Sequence, residues 1–327
     1  MKKLRLGLVG TGFIAPFHLR GFAANPHAAI TGVCALSDPA RRDRLAAEFG
    51  LRAFATYEQM VADPEIDALV LGSRNTEHLA QILRAQEARK PVLVEKPVVL
   101  SLADYDTIRA SVARTGVPVM PAHNFVYRGA VQAARAVVAS GALGRIVFGS
   151  FASNHTISPE HAQGWRAKLA LGGGGALMDS GHHQVYQSLF LRGCPVSLHA
   201  YKSRLVLTGM EGEDVGHVQL RYADGSLGSI LQTWTNNRGS AVDGIRLVGT
   251  EGSLEVTDAL YVNGERRDAD TDYSNSFVNQ ARAFSALILE GTPPASDLCD
   301  ARHTLQLIQL AYQSADTGTV PDFVAAQ

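Results

Sequence analysis

Six residues near the start of the chain, Gly10-Thr11-Gly12-Phe13-Ile14-Ala15, constrain it more than any others. They follow Leu4-Arg5-Leu6-Gly7-Leu8-Val9, which reads as a short buried strand. They precede Phe17-His18-Leu19-Arg20-Gly21-Phe22-Ala23-Ala24, which reads as a helix. A strand, a glycine turn and a helix in succession leave the first N–H groups of the helix without partners, aimed beyond the end of the strand. Gly10 permits the tight turn. Gly12 has no Cβ, so a pyrophosphate can approach the backbone. Ala15 keeps the helix close to the strand. In that setting G-x-G-x-x-G/A is the fingerprint of a dinucleotide site, with Gly10, Thr11, Gly12, Phe13 and Ile14 as candidate contacts. Alone the pattern is weakly specific, because glycine turns between strands and helices are common in α/β proteins.

The rest of the first third keeps the same rhythm. Strands are expected at 29–36, 67–72, 91–94 and 117–120, and helices at 39–49, 76–88 and 102–115, the first of these closed by Gly50. Strands alternating with helices of this length imply a doubly wound parallel sheet, which binds ligands at the carboxyl ends of its strands. After Met120 the rhythm changes. A helix at 130–140 and a strand at 146–153 lead to the cluster Gly172–Gly175 and an expected helix at 176–191. Strand-like runs follow at 197–207, 215–222, 226–235 and 245–248, with Asp224-Gly225 as a hairpin signal between two of them. Runs of strands without intervening helices imply a mostly antiparallel sheet. Helices are expected at 276–290 and 300–315. The fold class is therefore α/β, with an N-terminal doubly wound domain over 1–122 and a C-terminal α+β domain over 123–327.

Of the 327 residues, 46% are apolar and 19% charged, a globular balance, and the net charge of −1 provides no global field for nucleic acid or an anionic membrane. Cys34, Cys194 and Cys299 are far apart, without metal-type spacing, and read as small buried residues; no metal is expected. Met1-Lys2-Lys3 before an apolar stretch superficially resembles a secretion leader. Gly7, Gly10 and Gly12 break that stretch, and His18-Leu19-Arg20 follow soon after, so the expectation is a cytoplasmic protein. No apolar run has the length needed to span a bilayer.

Two constellations could carry chemistry. Glu95-Lys96-Pro97 follows the strand at 91–94, which puts Lys96 beside any nucleotide at the rim of the sheet. A lysine there can stabilise a developing alkoxide. By composition alone, a surface lysine near a turn is the commoner case. In Asp179-Ser180-Gly181-His182-His183, a helix would put Asp179 and His183 on one face, a carboxylate–imidazole pairing suited to acid/base work. A carboxylate favoured by the helix dipole beside a satisfied histidine fits the same residues. His182 and His183 are adjacent and point about 100° apart on a helix, which disfavours a shared metal. His18, His78, His123 and His155 are lone histidines, more often structural than catalytic. Trp165-Arg166 could contact a polar substrate or simply pack.

Taken in order, Gly10-x-Gly12-x-x-Ala15, Asn75-Thr76-Glu77-His78, Glu95-Lys96-Pro97, Gly173-Gly174-Gly175-Ala176-Leu177-Met178-Asp179, Asp179-x-x-x-His183 and Gly249-Thr250-Glu251-Gly252-Ser253-Leu254 resemble the Gfo/Idh/MocA family (glucose-fructose oxidoreductase, inositol dehydrogenase and rhizopine catabolism proteins). The resemblance covers nearly the whole chain. Each motif is modest, and the ordered set is specific. It implies a Rossmann domain followed by an α+β domain with a large open sheet, through which such proteins often form homodimers or homotetramers. It implies NAD- or NADP-dependent oxidation or reduction of a secondary alcohol in a sugar, sugar derivative or cyclitol. By position, Lys96, Asp179 and His183 match the family's catalytic residues, and the Lys96–Pro97 bond is expected to be cis. Ser73, Asn75, His78, Glu95 and Lys96 become further cofactor contacts. Asn124, Tyr127, Arg128, His155, Trp165, Arg166 and His182 join Lys96, Asp179 and His183 in lining the substrate site.

Three departures matter. Where the family often has an Asp for the adenosine ribose, Leu36 stands, with Ser37 next and Asp38 two places late. Asp38 on the ribose would favour NAD, and Ser37 with Arg41 or Arg42 on a 2′-phosphate would favour NADP; both stay open. Ser73-Arg74 replaces the usual Thr-Pro or Ser-Pro, and a proline usual after Tyr127-Arg128 is missing. The implied chemistry is hydride transfer with His183 as general base, Lys96 stabilising the oxygen, and Asp179 bonding the hydroxyl or orienting His183. Two rivals remain: a redox-neutral glycosidase that uses NAD transiently, and a non-catalytic regulator that binds nucleotide and sugar.

Overall fold

A computed structural model describes residues 3–35, 37–235 and 242–325 of the chain. Leu36, expected at the end of the second strand, lies outside them. The chain forms two compact units, one of the residues up to Tyr127 together with Asp272–Leu298, the other of Arg128–Thr271 together with the chain from Cys299 onward.

The first unit holds six parallel strands, β1 (Leu4–Val9), β2 (Ala28–Cys34), β3 (Arg52–Phe54), β4 (Ala68–Leu71), β5 (Val92–Val94) and β6 (Val119–Pro121), in the order β3-β2-β1-β4-β5-β6. This is the expected doubly wound sheet. β4 and β5 are buried along their whole length, as their unbroken apolar runs require when helices cover both faces. The order reverses at β1, between β2 and β4, which opens the crevice where such sheets take their ligands. Helices expected at 39–49 and 102–115 match Pro39–Phe49 and Leu102–Thr115 because both carry explicit signals. Asp38 and Ser101 cap the starts, and Gly50 and Gly116 close the ends in the left-handed region. β3 and the helix Tyr57–Ala62 were not expected, since three- and six-residue elements carry no readable period. The helix Tyr273–Glu290 packs against the helix Ala15–Ala23, with the Phe277 ring 5.3 Å from Phe17 and edge-on to His18 at 5.4 Å. Gly21 makes this close approach possible, since a Cβ there would lie 2.9 Å from the Phe277 backbone.

The second unit holds β7 (Ile146–Asn154), β8 (Ser197–Ser203), β9 (Val215–Arg221), β10 (Leu227–Thr233), β11 (Gly244–Gly249), β12 (Ser253–Val256), β13 (Leu260–Val262) and β14 (Glu265–Arg267). Their order is β14-β13-β12-β11-β7-β10-β9-β8; β7 and β10 run parallel and the other neighbours antiparallel, so the sheet is mostly antiparallel as expected. Asp224-Gly225 does turn the chain between β9 and β10, with Gly225 at φ 83 donating to the Tyr222 carbonyl at 3.0 Å. The helix Gly181–Arg192 lies against β7 and β10, and most of its residues are buried. Two expectations need correction. The helix begins at Gly181 and not at Ala176, and the strand from Ser197 ends at Ser203 and not at Leu207. In both places a buried carboxylate captures the backbone. Asp214 accepts the N–H groups of Leu205, Val206 and Leu207 at 2.6–3.1 Å. Glu213 does the same ahead of Gly181, as described below.

Two neighbouring glycines should respond oppositely to substitution. A Cβ at Gly10 (φ 94) would lie 2.4 Å from the Gly72 carbonyl oxygen, whereas one at Gly12 would meet nothing within 4 Å. Gly10→Ala is expected to lower unfolding stability by about 1–3 kcal/mol, and Gly12→Ala to leave it unchanged within ~0.5 kcal/mol. Chemical denaturation measures both; equal losses would contradict this account of the turn.

Candidate active site

In the first unit the site starts at the end of β1. Gly10 N–H donates to the Cys34 carbonyl at 2.8 Å, which sets the turn. No side chain caps the helix Ala15–Ala23, and among the described residues nothing accepts the N–H groups of Phe13 and Ile14. The positive end of that helix therefore faces the open space above Gly12. Thr11 is buried, and Phe13 is 75% exposed with its ring 5.4 Å from Phe17. After β2, Ser37 is exposed and Asp38 accepts the Arg41 N–H at 2.8 Å. Arg42 is committed elsewhere, donating to Asp43 Oδ1 at 2.8 Å and to the Phe54 carbonyl at 3.3 Å. Ser73 Oγ donates to Gln81 Oε1 at 2.5 Å, and Asn75 is buried at the start of the helix Asn75–Glu87. An uncapped helix start, an open glycine and a carboxylate after β2 fit a dinucleotide: the first two suit its pyrophosphate, the third a ribose.

Lys96 is half-buried beyond the carboxyl end of β5, and the Lys96–Pro97 bond is cis. Its neighbour Glu95 is held from two sides. His18 Nε2 donates to Oε1 at 2.7 Å, and the Lys96 N–H donates to Oε2 at 3.3 Å. His18, read from sequence as a lone histidine, is thus the partner that fixes the Glu95-Lys96 backbone. His78 is wholly buried and donates from Nδ1 to the Val98 carbonyl at 3.0 Å. It holds the loop that follows Lys96 and does not face outward; burial lowers its pKa. His123 is also wholly buried, 2.8 Å from Ser296 Oγ. Burial, and then the Lys96 ammonium, push its pKa down to about 3, so it stays neutral beside the lysine. Asn124 donates to Ser276 Oγ at 3.0 Å, and the Tyr127 carbonyl accepts from Asn279 at 3.1 Å. Both residues are buried and tied to the helix Tyr273–Glu290.

In the second unit Asp179 lies in the turn before the helix Gly181–Arg192. It and His183 therefore do not share a helical face, which corrects the spacing argument. Asp179 Oδ2 accepts from His161 Nε2 at 2.8 Å and lies 3.3 Å from Arg166 Nε. The Arg166 guanidinium also lies over the Trp165 ring at 4.2 Å. Trp165, Arg166 and Asp179 thus come together, joined by His161. That histidine sits in the short helix Pro159–Gln163 and gave no signal in the sequence. His183 Nδ1 is 2.7 Å from the Tyr186 hydroxyl one turn along its own helix. His182 is wholly buried, edge-on to the Tyr186 ring at 6.3 Å. His155 belongs to a chain of bonds. Trp234 Nε1 donates to Ser180 Oγ at 2.9 Å, and the same hydroxyl is hydrogen-bonded with His155 Nε2 at 3.2 Å. Arg128 donates to the Thr271 carbonyl at 2.8 Å.

The glycine run before Asp179 is dictated by two residues distant in sequence. The Glu213 carboxylate accepts from Gly175 N at 3.1 Å, Leu177 N at 2.8 Å and the Tyr312 hydroxyl at 2.9 Å. The Tyr312 oxygen accepts from Gly175 N and Met178 N, each at 3.2 Å. A Cβ at Gly174 would meet the Tyr312 hydroxyl at 2.1 Å, and one at Gly175 the Glu213 carbonyl at 2.0 Å. Close approach is thus the reason for the glycines, as expected, and what approaches is this buried pair. Burial pushes the Glu213 carboxyl up, against bonds that favour its ionised form, and burial with the adjacent Glu213 raises Tyr312 well above the usual phenol value.

The first unit offers an ammonium at a sheet edge; the second, taken by itself, offers an imidazole bonded at Nδ1 and a carboxylate held by His161 and Arg166. These are groups for moving a proton and stabilising an oxyanion. Among the described residues no group of three or more His, Cys, Asp or Glu side chains could hold a metal ion. Nor is any described helix long and apolar enough to cross a membrane.

Residues 4–123 match a family model described as an oxidoreductase family with an NAD-binding Rossmann fold, and residues 131–255 match the GFO/IDH/MocA C-terminal domain. The D-apiose dehydrogenase of Rhizobium rhizogenes is 24% identical over 99% of this chain and 99% of its own. The dTDP-3,4-didehydro-2,6-dideoxy-alpha-D-glucose 3-reductase of Streptomyces violaceoruber is 30% identical over 78% of this chain and 73% of its own. GenD2 of gentamicin A biosynthesis, solved in complex with NAD, is 26% identical with a TM-score of 0.88, covering 99% of this chain and 97% of that one. With both domain models matched in order, the chain belongs to the Gfo/Idh/MocA family of NAD-binding oxidoreductases.

Proposed function

We propose that the chain transfers hydride between NAD and a secondary hydroxyl or keto group of a sugar, sugar derivative or cyclitol. The observation that carries this reading is Lys96, fixed through Glu95 and His18 at the carboxyl edge of the sheet whose β1 turn is open to a pyrophosphate. The D-apiose dehydrogenase and dTDP-sugar 3-reductase relatives support the substrate class. When bound, the nicotinamide takes or gives the hydride at the carbinol carbon. His183 Nε2 takes the hydroxyl proton, and Lys96 supports negative charge growing on the oxygen. Asp179, anchored by His161 and Arg166, orders the hydroxyl, and Trp165 with Arg166 forms part of the polyol contact.

NAD is favoured over NADP for a charge reason. Asp38 sets a carboxylate after β2, and Arg42, one of the two nearby arginines that a 2′-phosphate could use, is already paired with Asp43. Cys34, Cys194 and Cys299 form no disulfide, which accords with a reducing compartment, and we place the protein in the cytoplasm. A second copy of the chain is the proposed partner, seated on the face of the large sheet that carries Phe148, Leu227 and Val248. These are 38%, 52% and 44% exposed, and both Leu227 and Val248 stand directly opposite Phe148 on the flanking strands.

Sugars, cyclitols and their keto forms tested with NAD(H) and followed at the nicotinamide absorbance should yield at least one substrate. With it, Lys96→Met and His183→Ala are each expected to lower kcat by roughly 10²–10⁴-fold, and His183→Ala to leave NAD affinity unchanged. Near-normal turnover in both would reject these roles. Phe148→Asp with Leu227→Asp should convert an oligomer into a monomer in light scattering, and an unchanged molar mass would remove the sheet face from the interface.

A further inference from the structure

His183 Nδ1 and Tyr186 Oη are hydrogen-bonded at 2.7 Å, within one helix and at a separation of three residues. The Tyr186 ring stands edge-on to the His183 ring at 5.5 Å and 80°, and Tyr186 is only 2% exposed. The histidine is also held by its backbone, with its N–H on the Ser180 carbonyl at 3.1 Å and its carbonyl accepting from Gln187 Nε2 at 2.9 Å. A rigid helix therefore carries both partners, and the phenol occupies one of the two ring nitrogens.

We propose that Tyr186 is the positioning residue of the acid/base step: its oxygen accepts the Nδ1–H of His183, fixes that tautomer, and leaves the Nε2 lone pair as the one that meets substrate. This rests on the reading of His183 as the base. The proton count supports the direction of the bond. In oxidation the hydroxyl proton would pass to Nε2 while bound NAD would supply the hydride acceptor, and neutral imidazole would become imidazolium. In reduction Nε2–H returns the proton. Nδ1 keeps its hydrogen in both states, so the same Nδ1–H···Oη bond serves both directions and is stronger to the imidazolium. Were the phenol to donate instead, Nδ1 would be the acceptor, Nε2 would carry the hydrogen of the neutral ring, and no lone pair would remain for the substrate proton. A phenol is also neutral, so it orients the ring without the charge attraction that a carboxylate partner would add.

Kinetics of Tyr186→Phe and Tyr186→Asp beside His183→Ala test this. Tyr186→Phe keeps the ring and is expected to lower kcat about ten- to a hundredfold, less than loss of the base itself, with KM unchanged. The acid limb of its kcat/KM profile should move to lower pH, because an accepted bond that favours the imidazolium has been removed. Tyr186→Asp should move that limb to higher pH. If His183→Ala abolishes turnover while Tyr186→Phe, folded by circular dichroism, keeps the wild-type kcat and pH profile, the positioning role is wrong and the base assignment stands. If His183→Ala turns over normally, the base assignment fails first. A Tyr186→Phe that merely melts earlier, with unaltered kinetics, would reduce the residue to packing.

Discussion

Backbone N–H groups that no helix or strand can use decide the character of both units. Such groups are costly to bury unpaired, so each must go to a side chain, to solvent or to a ligand. At the start of the helix Ala15–Ala23 the protein leaves them open, with no side-chain cap and with empty space over Gly12. Before the helix Gly181–Arg192 it does the opposite. Glu213 and Tyr312 take the N–H groups of Gly175, Leu177 and Met178, and at a second place, after Ser203, Asp214 takes those of Leu205, Val206 and Leu207. The open set suits a ligand. The set closed by Glu213 and Tyr312 holds still the loop whose last residues carry Asp179.

Charge is managed in the same spirit. Glu95 lies beside Lys96 and is bonded to His18, which fixes its carboxylate. His123, next to that ammonium, is kept neutral by burial. Asp179 receives His161 and Arg166 on one oxygen. Each candidate group thus has a supporting residue that locks its geometry, which suits an NAD-binding oxidoreductase, where the cofactor does the hard chemistry and the protein supplies orientation and electrostatics.

The sequence made the first unit legible because its signals are local. Asp38 with Gly50, and Ser101 with Gly116, mark their helices to the residue. Gly10 and Gly12 announce the turn, and one of them is required by the fold while the other has space around it. The second unit was legible in its strands and less so at its site. Ala176–Ser180 has helical composition, and its departure from helix comes from Glu213 and Tyr312, far away in sequence. No local pattern marks such a clamp. His161 is likewise unreadable, since it reaches Asp179 across 18 residues from a five-residue helix. Tyr186 was available to sequence reasoning, three residues after His183 on an expected helix. A phenol three residues after a histidine is common in helices and marks no site by itself.

Label transfer from C4-deuterated NADH to a keto-sugar or keto-cyclitol substrate, in ordinary water, tests the central claim most directly. The account predicts one deuteron on the new carbinol carbon for each nicotinamide oxidised. Product that forms with the label still on the nicotinamide, or that acquires its carbon-bound hydrogen from solvent, would contradict it.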